Sequence, residues 1–166
     1  MSEQNPMQYK DYIKQIEDFP NPGIRFYDMA PLIGNGAIFA ALINEIAAPL
    51  KGKITKVVGF DARGFIFGGA VAAELGIGCV MLRKPGKLPG QTLSVSYDLE
   101  YGSNTLEIQS DAINERDKVL LIDDVIATGG TALAGIELAR KCGATITEFC
   151  ALIDLPHLSG SARIRS

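Results

Sequence analysis

Two adjacent carboxylates, Asp123 and Asp124, follow the aliphatic run Val119-Leu120-Leu121-Ile122 and precede Ala127-Thr128-Gly129-Gly130-Thr131. Four aliphatic residues in a row read as a strand buried on both faces of a parallel sheet, and such sheets bind ligands at the carboxyl ends of their strands. Small residues between strand and helix let the backbone approach a ligand, while the unpaired N–H groups of the helix start favour an anion. The loop is read as a phosphate cradle, with the hydroxyls of Thr128 and Thr131 as further donors. Carboxylates beside a cradle repel the phosphate unless they face something else, such as sugar hydroxyls or a magnesium ion. A ribose phosphate meets both needs. The plainer alternative is a strand-to-helix turn capped by Thr128 or Thr131, with solvated acids.

A second strand-to-helix turn, Asp61-Ala62-Arg63-Gly64, follows the apolar run Lys56 to Phe60. Its position at the same sheet edge brings Arg63 to the same ligand, and a guanidinium fork suits two phosphate oxygens. A surface pair between Asp61 and Arg63 is the alternative. The run Arg83-Lys84-Pro85-Gly86-Lys87-Leu88-Pro89-Gly90 places three cations among prolines and glycines after another strand. It reads as a mobile basic loop able to close over phosphates and exclude water. A GxxxxGK[ST] motif does not occur, and neither Gly34-Asn35-Gly36 nor Gly76-Ile77-Gly78 completes GxGxxG, which disfavours a Walker or Rossmann nucleotide site.

These turns need a scaffold, and the hydrophobic periodicity supplies one. Tyr9, Tyr12, Ile13 and Ile16 fall on one face of a helix expected between Met7 and Phe19, which Pro20-Asn21-Pro22-Gly23 ends. Helices are expected at Ala37 to Leu50, about Gly64 to Leu75 and about Thr131 to Cys142, with strands at Lys56 to Phe60, Cys79 to Leu82, Val119 to Ile122 and Thr145 to Ile153. Alternating strands and helices imply an α/β fold, a doubly wound, mostly parallel sheet flanked by helices. Thr92 to Leu99 and Asn104 to Gln109 alternate around Glu100-Tyr101-Gly102-Ser103 and read as a projecting β-hairpin.

The whole chain sets the limits. Its 166 residues suffice for one core, and a formal net charge of −3 lacks the basic surplus of a general nucleic-acid binder. The three cysteines, Cys79, Cys142 and Cys150, show neither zinc-site nor disulfide spacing and read as reduced core thiols. The polar N-terminus lacks the pattern of a secretory signal, so a cytoplasmic protein is expected. Gly64 to Leu82 has the length of a membrane span, but Gly76-Ile77-Gly78 divides it into a helix and a strand. His157 stands without a partner pattern and reads as a loop residue.

The segment Val119 to Gly135 resembles the signature of the type I phosphoribosyltransferases. From Phe19 to about Leu155 the chain resembles the adenine-specific branch of that family, through Phe19–Asp28 (FPNPGIRFYD), Gly59–Gly68 (GFDARGFIFG), Leu82–Gly90 (LRKPGKLPG) and Ser96–Gln109 (SYDLEYGSNTLEIQ). The resemblance implies a transfer from phosphoribosyl diphosphate to adenine, giving AMP and diphosphate in purine salvage, with magnesium held mainly by the substrate and with a homodimer. It assigns the phosphoribosyl group to Asp123, Asp124 and Ala127 to Thr131, and the diphosphate to Asp61, Ala62, Arg63, Arg83, Lys84 and Lys87. Arg63 and Glu100 become the catalytic pair, Glu100 handling the purine proton; a solvated hairpin-tip acid is its alternative.

Phe26 would stack on the base while backbone groups of Arg25 and Tyr27 read its edge; a core anchor is the alternative for Phe26. Tyr27 stands where many relatives carry arginine. The expected organisation is one domain over 1–166, with a base-binding hood in 1–34 and a mobile loop and hairpin in 84–109. Two rivals stay open: the same chemistry on hypoxanthine, guanine or xanthine, and a nucleotide-sensing module without catalysis.

Overall fold

The computed structural model describes residues 9–98 and 103–165, which form two compact units divided after Ala48. In the N-terminal unit, a 3-10 turn (Tyr9–Tyr12) leads into strand β1 (Lys14–Ile16), which pairs antiparallel with β2 (Phe26–Asp28). This corrects the helix expected up to Phe19. A helix this short is marginal alone, whereas the Pro-Gly turn returns the chain so that Lys14–Ile16 finds a strand partner. Asp18 Oδ1 accepts from Gly23 N at 2.7 Å and fixes that turn. Helix α1 (Ala30–Gly34) follows, and Asn35 Oδ1 then caps helix α2 (Gly36–Ala47) by accepting from Ile38 N at 3.2 Å. Ile38, Leu42, Ile43 and Ala47 form the buried stripe of α2.

The second unit is built on a parallel sheet in the order β4-β3-β7-β8, with β3 at Lys56–Phe60, β4 at Gly78–Leu82, β7 at Lys118–Ile126 and β8 at Thr145–Asp154. Helix α3 (Gly64–Leu75) covers one face, its Gly68 lying over Val57, Gly59 and Ile122. Helix α4 (Gly130–Lys141) covers the other, with Gly135 seated on Phe60 and Leu82. Alternate residues of β3 therefore meet different helices, which is why the run Val57-Val58-Gly59-Phe60 carries no polar residue. At the amino ends of the strands, buried Asp117 accepts from Thr55 Oγ1 at 2.8 Å, Lys56 Nζ at 3.1 Å and Asn114 N at 3.0 Å. Burial opposes its charge, but these three donors hold the carboxyl below its usual range.

The hairpin consists of β5 (Thr92–Asp98) and β6 (Ser103–Gln109), paired from Thr92↔Gln109 to Asp98↔Ser103. Instead of standing away from the sheet along its whole length, it lays Val95, Leu106 and Ile108 into the core that includes Phe60, Leu121 and Leu138. After β8, a 3-10 turn (Pro156–Leu158) containing exposed His157 precedes helix α5 (Gly160–Arg165).

The cysteines are free thiols, and half-buried Cys142 packs against the core, but the core placement expected for the other two is corrected: Cys79 is exposed and Cys150 is half-buried. Cys79 lies on the edge strand β4, whose outer positions are uncovered. The apolar stretch Gly64 to Leu82 is α3 followed by β4, and among the described residues no helix is long and apolar enough to cross a membrane.

Candidate active site

Because β4, β3 and β7 are parallel neighbours, the turns after them share one edge of the sheet. The turn 61–63 after β3 contains a cis Asp61–Ala62 peptide and presents Arg63. Arg63 Nε lies 2.6 Å from Asp124 Oδ2. This is an ion pair without the alignment of a hydrogen bond, since the buried Oδ2 has no hydrogen-bond partner among the described residues. Asp61 Oδ2 instead accepts from Arg83 Nε at 2.9 Å. The alternative pair between Asp61 and Arg63 is thus not formed; each is ion-paired with a residue of a neighbouring turn or strand.

Asp123 and Asp124 do not follow β7, as expected, but belong to it: the strand runs on to Ile126 and pairs with β8 through Ile126↔Asp154. Asp124 is 5% exposed. Asp123 is partly buried, and its Oδ1 accepts from Asp124 N at 2.9 Å. Burial, and then the negative charge of Asp124, push the Asp123 carboxyl up to about 7, with Arg63 opposing. The Asp123 carboxyl therefore keeps its proton to higher pH than an ordinary carboxylate.

Beyond the strand, a pocket of about 90 Å³ is lined by Asp123, Val125, Phe149 and the run Ile126 to Ala132. Gly129, at φ +81°, is the N-cap of α4 and offers no side-chain cap, so the N–H groups of the first turn keep their capacity for an anion. Thr131 Oγ1 donates to Tyr97 Oη at 3.0 Å, which ties the pocket to β5. Ala127, Thr128, Gly129, Gly130 and Thr131, all named from the sequence, therefore share one cavity with Asp123.

The basic loop lies along β6. Arg83 pairs with Glu107 through two backbone bonds of 3.0 and 2.7 Å, Gly86 N donates to Glu107 Oε2 at 3.2 Å, and Gln109 Nε2 donates to Pro89 O at 3.1 Å. Arg83 also stacks over Phe65 at 5.8 Å and donates to Lys87 O at 3.3 Å. Lys84 and Lys87 are exposed and form no salt bridge among the described residues. Glu100 falls outside the described residues.

In the N-terminal unit, Arg25 is ion-paired with Glu17 at 2.7 Å, Phe26 meets Phe19 edge-on at 5.1 Å, and Tyr27 pairs with Gln15. Phe26 is half-buried rather than a core anchor.

Two groups at the site had no motif to announce them. Arg163 donates from Nη1 to Thr128 O at 2.6 Å, and the backbone of Gly160 packs on Ala127 and Gly129. Tyr97 had a weaker signal, its inward position in the alternation of β5.

The parallel sheet carries an acid pair beside a pocket at a glycine-rich helix start and a cationic turn, and residues 29–163 match the phosphoribosyl transferase domain family. The chain belongs to that family, among the adenine phosphoribosyltransferases. It is 52% identical over 161 residues to the adenine phosphoribosyltransferase of Maricaulis maris (strain MCS10), covering 96% of this chain and 92% of that protein. The Saccharomyces cerevisiae adenine phosphoribosyltransferase, solved with D-2,5-dideoxy-2,5-imino-altritol 1,6-bisphosphate and adenine, superposes with a TM-score of 0.89 at 38% identity, covering 93% of this chain and 91% of that one. The Trypanosoma brucei adenine phosphoribosyl transferase, solved with AMP, pyrophosphate and ribose-5-phosphate, gives a TM-score of 0.85 at 30% identity over 95% of this chain and 70% of that one.

Proposed function

We propose that this protein transfers the 5-phosphoribosyl group from phosphoribosyl diphosphate to adenine, giving AMP and diphosphate, and so salvages the free purine. The observation that carries this reading is the contact between Arg63 and Asp124, which joins the cationic turn to the acid pair beside the anion pocket. A sugar phosphate that seats its 5'-phosphate in residues 127–131 sets its hydroxyls over Asp123 and Asp124 and its diphosphate towards Arg63. The relatives solved with adenine and with AMP support the choice of base and product.

The reaction makes a bond from a ring nitrogen of adenine to the anomeric carbon as the bond from that carbon to the diphosphate oxygen breaks. The electron pair leaves with the diphosphate, and the developing charge is met by Arg63, Arg83, Lys84 and Lys87, with the main chain of Asp61 and Ala62 as added support. Donor binding has to draw Arg63 away from Asp124, and the freed carboxylate then accepts from a sugar hydroxyl. The nitrogen's proton goes to the carboxylate of Glu100, while Phe26 stacks on the purine and backbone groups of Arg25 and Tyr27 read its edge.

Among the described residues no cluster of three or more His, Cys, Asp or Glu side chains could hold a metal ion. The carboxylates of Asp123 and Asp124 fit a magnesium ion arriving with the donor, which either would contact. Bound there, the ion would supply positive charge to offset that of the departing diphosphate.

We also place the protein in the cytoplasm as a homodimer. Free thiols suit a reducing compartment, and Ile66 on α3 and Met81 on the edge strand β4, 44% and 43% exposed, offer apolar surface to a second copy. Incubation with phosphoribosyl diphosphate, magnesium and a panel of adenine, guanine, hypoxanthine and xanthine tests the function. AMP and diphosphate in equal amounts, with adenine preferred, are expected; faster turnover of an oxopurine, or tight ligand binding without product, would overturn it.

A further inference from the structure

We propose that Arg163 is a positioning residue of the 5'-phosphate pocket, acting through the carbonyl of Thr128, and that Gly160 is the residue that lets helix α5 come close enough for it to act. The proposal rests on the reading that residues 127–131 take the phosphate. Two observations carry it independently. Arg163 Nη1 donates to Thr128 O at 2.6 Å, a charge-assisted bond onto the backbone of the pocket itself. Separately, buried Gly160 is pressed against the same loop: a Cβ on it would overlap Ala127 O and stand 2.8 Å from Gly129 N, while a Cβ on Gly129 would stand 2.8 Å from Gly160 O. The segment after β8 thus returns to lie against the backbone of the anion loop with no room for a side chain between them.

The peptide unit makes this matter for binding. The Thr128 carbonyl and the Gly129 N–H belong to one planar trans unit and point in opposite directions, so holding the carbonyl fixes where the N–H aims. A cation on the carbonyl also polarises the unit and strengthens the N–H as a donor. Without that hold, a loop containing Gly129 and Gly130 is free to sample other conformations, and binding the phosphate has to pay for ordering it. Nothing in this arrangement touches the reacting atoms, so the expected signature is in affinity for the phosphate-bearing ligand and not in turnover.

The test compares wild type with Arg163→Met and Arg163→Lys. Steady-state kinetics give KM for phosphoribosyl diphosphate, KM for adenine and kcat; calorimetry gives the affinity for AMP; a thermal melt monitors the fold. For Arg163→Met the donor KM is expected to rise about tenfold, the low end for a bond to a charged group, and AMP to weaken alike. KM for adenine and kcat stay within about twofold, as removal of uniform binding requires. Arg163→Lys, which keeps a cationic donor, recovers part of the loss. Gly160→Ala produces a loss of the same kind, and if that variant does not fold, the Arg163 pair decides alone. An unchanged donor KM in Arg163→Met, or an equal fall in every parameter together with the melting temperature, overturns the proposal. A wild-type protein that forms no AMP would instead overturn the proposed function, a result distinguishable from either.

Discussion

Replacing Asp123 by asparagine should make the ligand-free protein more stable and a poorer enzyme. The carboxyl lies at about 7 against an ordinary 3.8, because burial and the neighbouring Asp124 disfavour its charge. A displacement of about three pH units, at about 1.4 kcal/mol each, bounds the strain of ionising it at about 4 kcal/mol. Partial solvent access reduces this to about 1–2 kcal/mol.

The sign follows from linkage. A folded-state value raised above the unfolded one means that the folded protein holds the proton more tightly, so this group's contribution is fully present below 3.8 and lost as pH rises through about 7. The neutral amide of Asp123→Asn mimics the protonated form at every pH. The variant should therefore melt about 2–8 °C higher than wild type at pH 8, given a chain of this size, and the gain should shrink as pH falls from about 7 towards 4. At pH 8, where wild type presents the carboxylate, its KM for phosphoribosyl diphosphate should rise about tenfold or more, because the amide cannot replace a charged acceptor for a sugar hydroxyl. Melting curves across pH without ligand, with donor KM measured on the same samples, decide the matter. A variant no more stable than wild type at pH 8, or a gain equally large at pH 5, would refute the electrostatic argument; an unchanged donor KM would refute the role in ribose binding.

Tyr97→Phe removes the hydroxyl bonded to Thr131 Oγ1, and donor KM should rise about three- to fivefold, the worth of one neutral hydrogen bond; no change would mean that Thr131 is held by other means. Asp117→Asn breaks the lock with Thr55, Lys56 and Asn114 at the opposite end of the sheet, and denaturant titration should register a loss of about 2–3 kcal/mol with KM values unaltered. Because the Asp117 carboxyl is held below its usual range, that stabilisation is present at neutral pH and lost as pH falls through its folded value. Glu100→Gln should lower kcat far more than it weakens donor binding, as expected of a proton acceptor; equal losses in both would remove it from that role.

Much of this is legible in the sequence where local pattern and tertiary context agree. Val57 to Phe60 and Val119 to Ile122 are apolar because helices cover both faces, and the glycine-rich loop after β7 sits on the pocket that its composition implies. The N-terminal segment misleads because Tyr9, Tyr12, Ile13 and Ile16 satisfy a helical period, while pairing with Phe26–Asp28 depends on a turn that periodicity does not weigh. The exchange of partners by Asp61 and Arg63 is out of reach for a related reason: which carboxylate a guanidinium finds depends on strand order, and β3 lies between β4 and β7 only in the folded sheet. Arg163 is the extreme case, an arginine in a short terminal helix with no motif around it, lying 35 positions along the chain from the carbonyl it holds.

A crystal structure with AMP bound tests the account most directly. The phosphate is expected among the backbone N–H groups of Gly129, Gly130 and Thr131, with the ribose hydroxyls on Asp123 and Asp124 and with Arg63 withdrawn from Asp124. A phosphate seated on the Asp61–Arg63 turn, leaving the pocket after β7 without an anion and the Arg63–Asp124 contact intact, would contradict it.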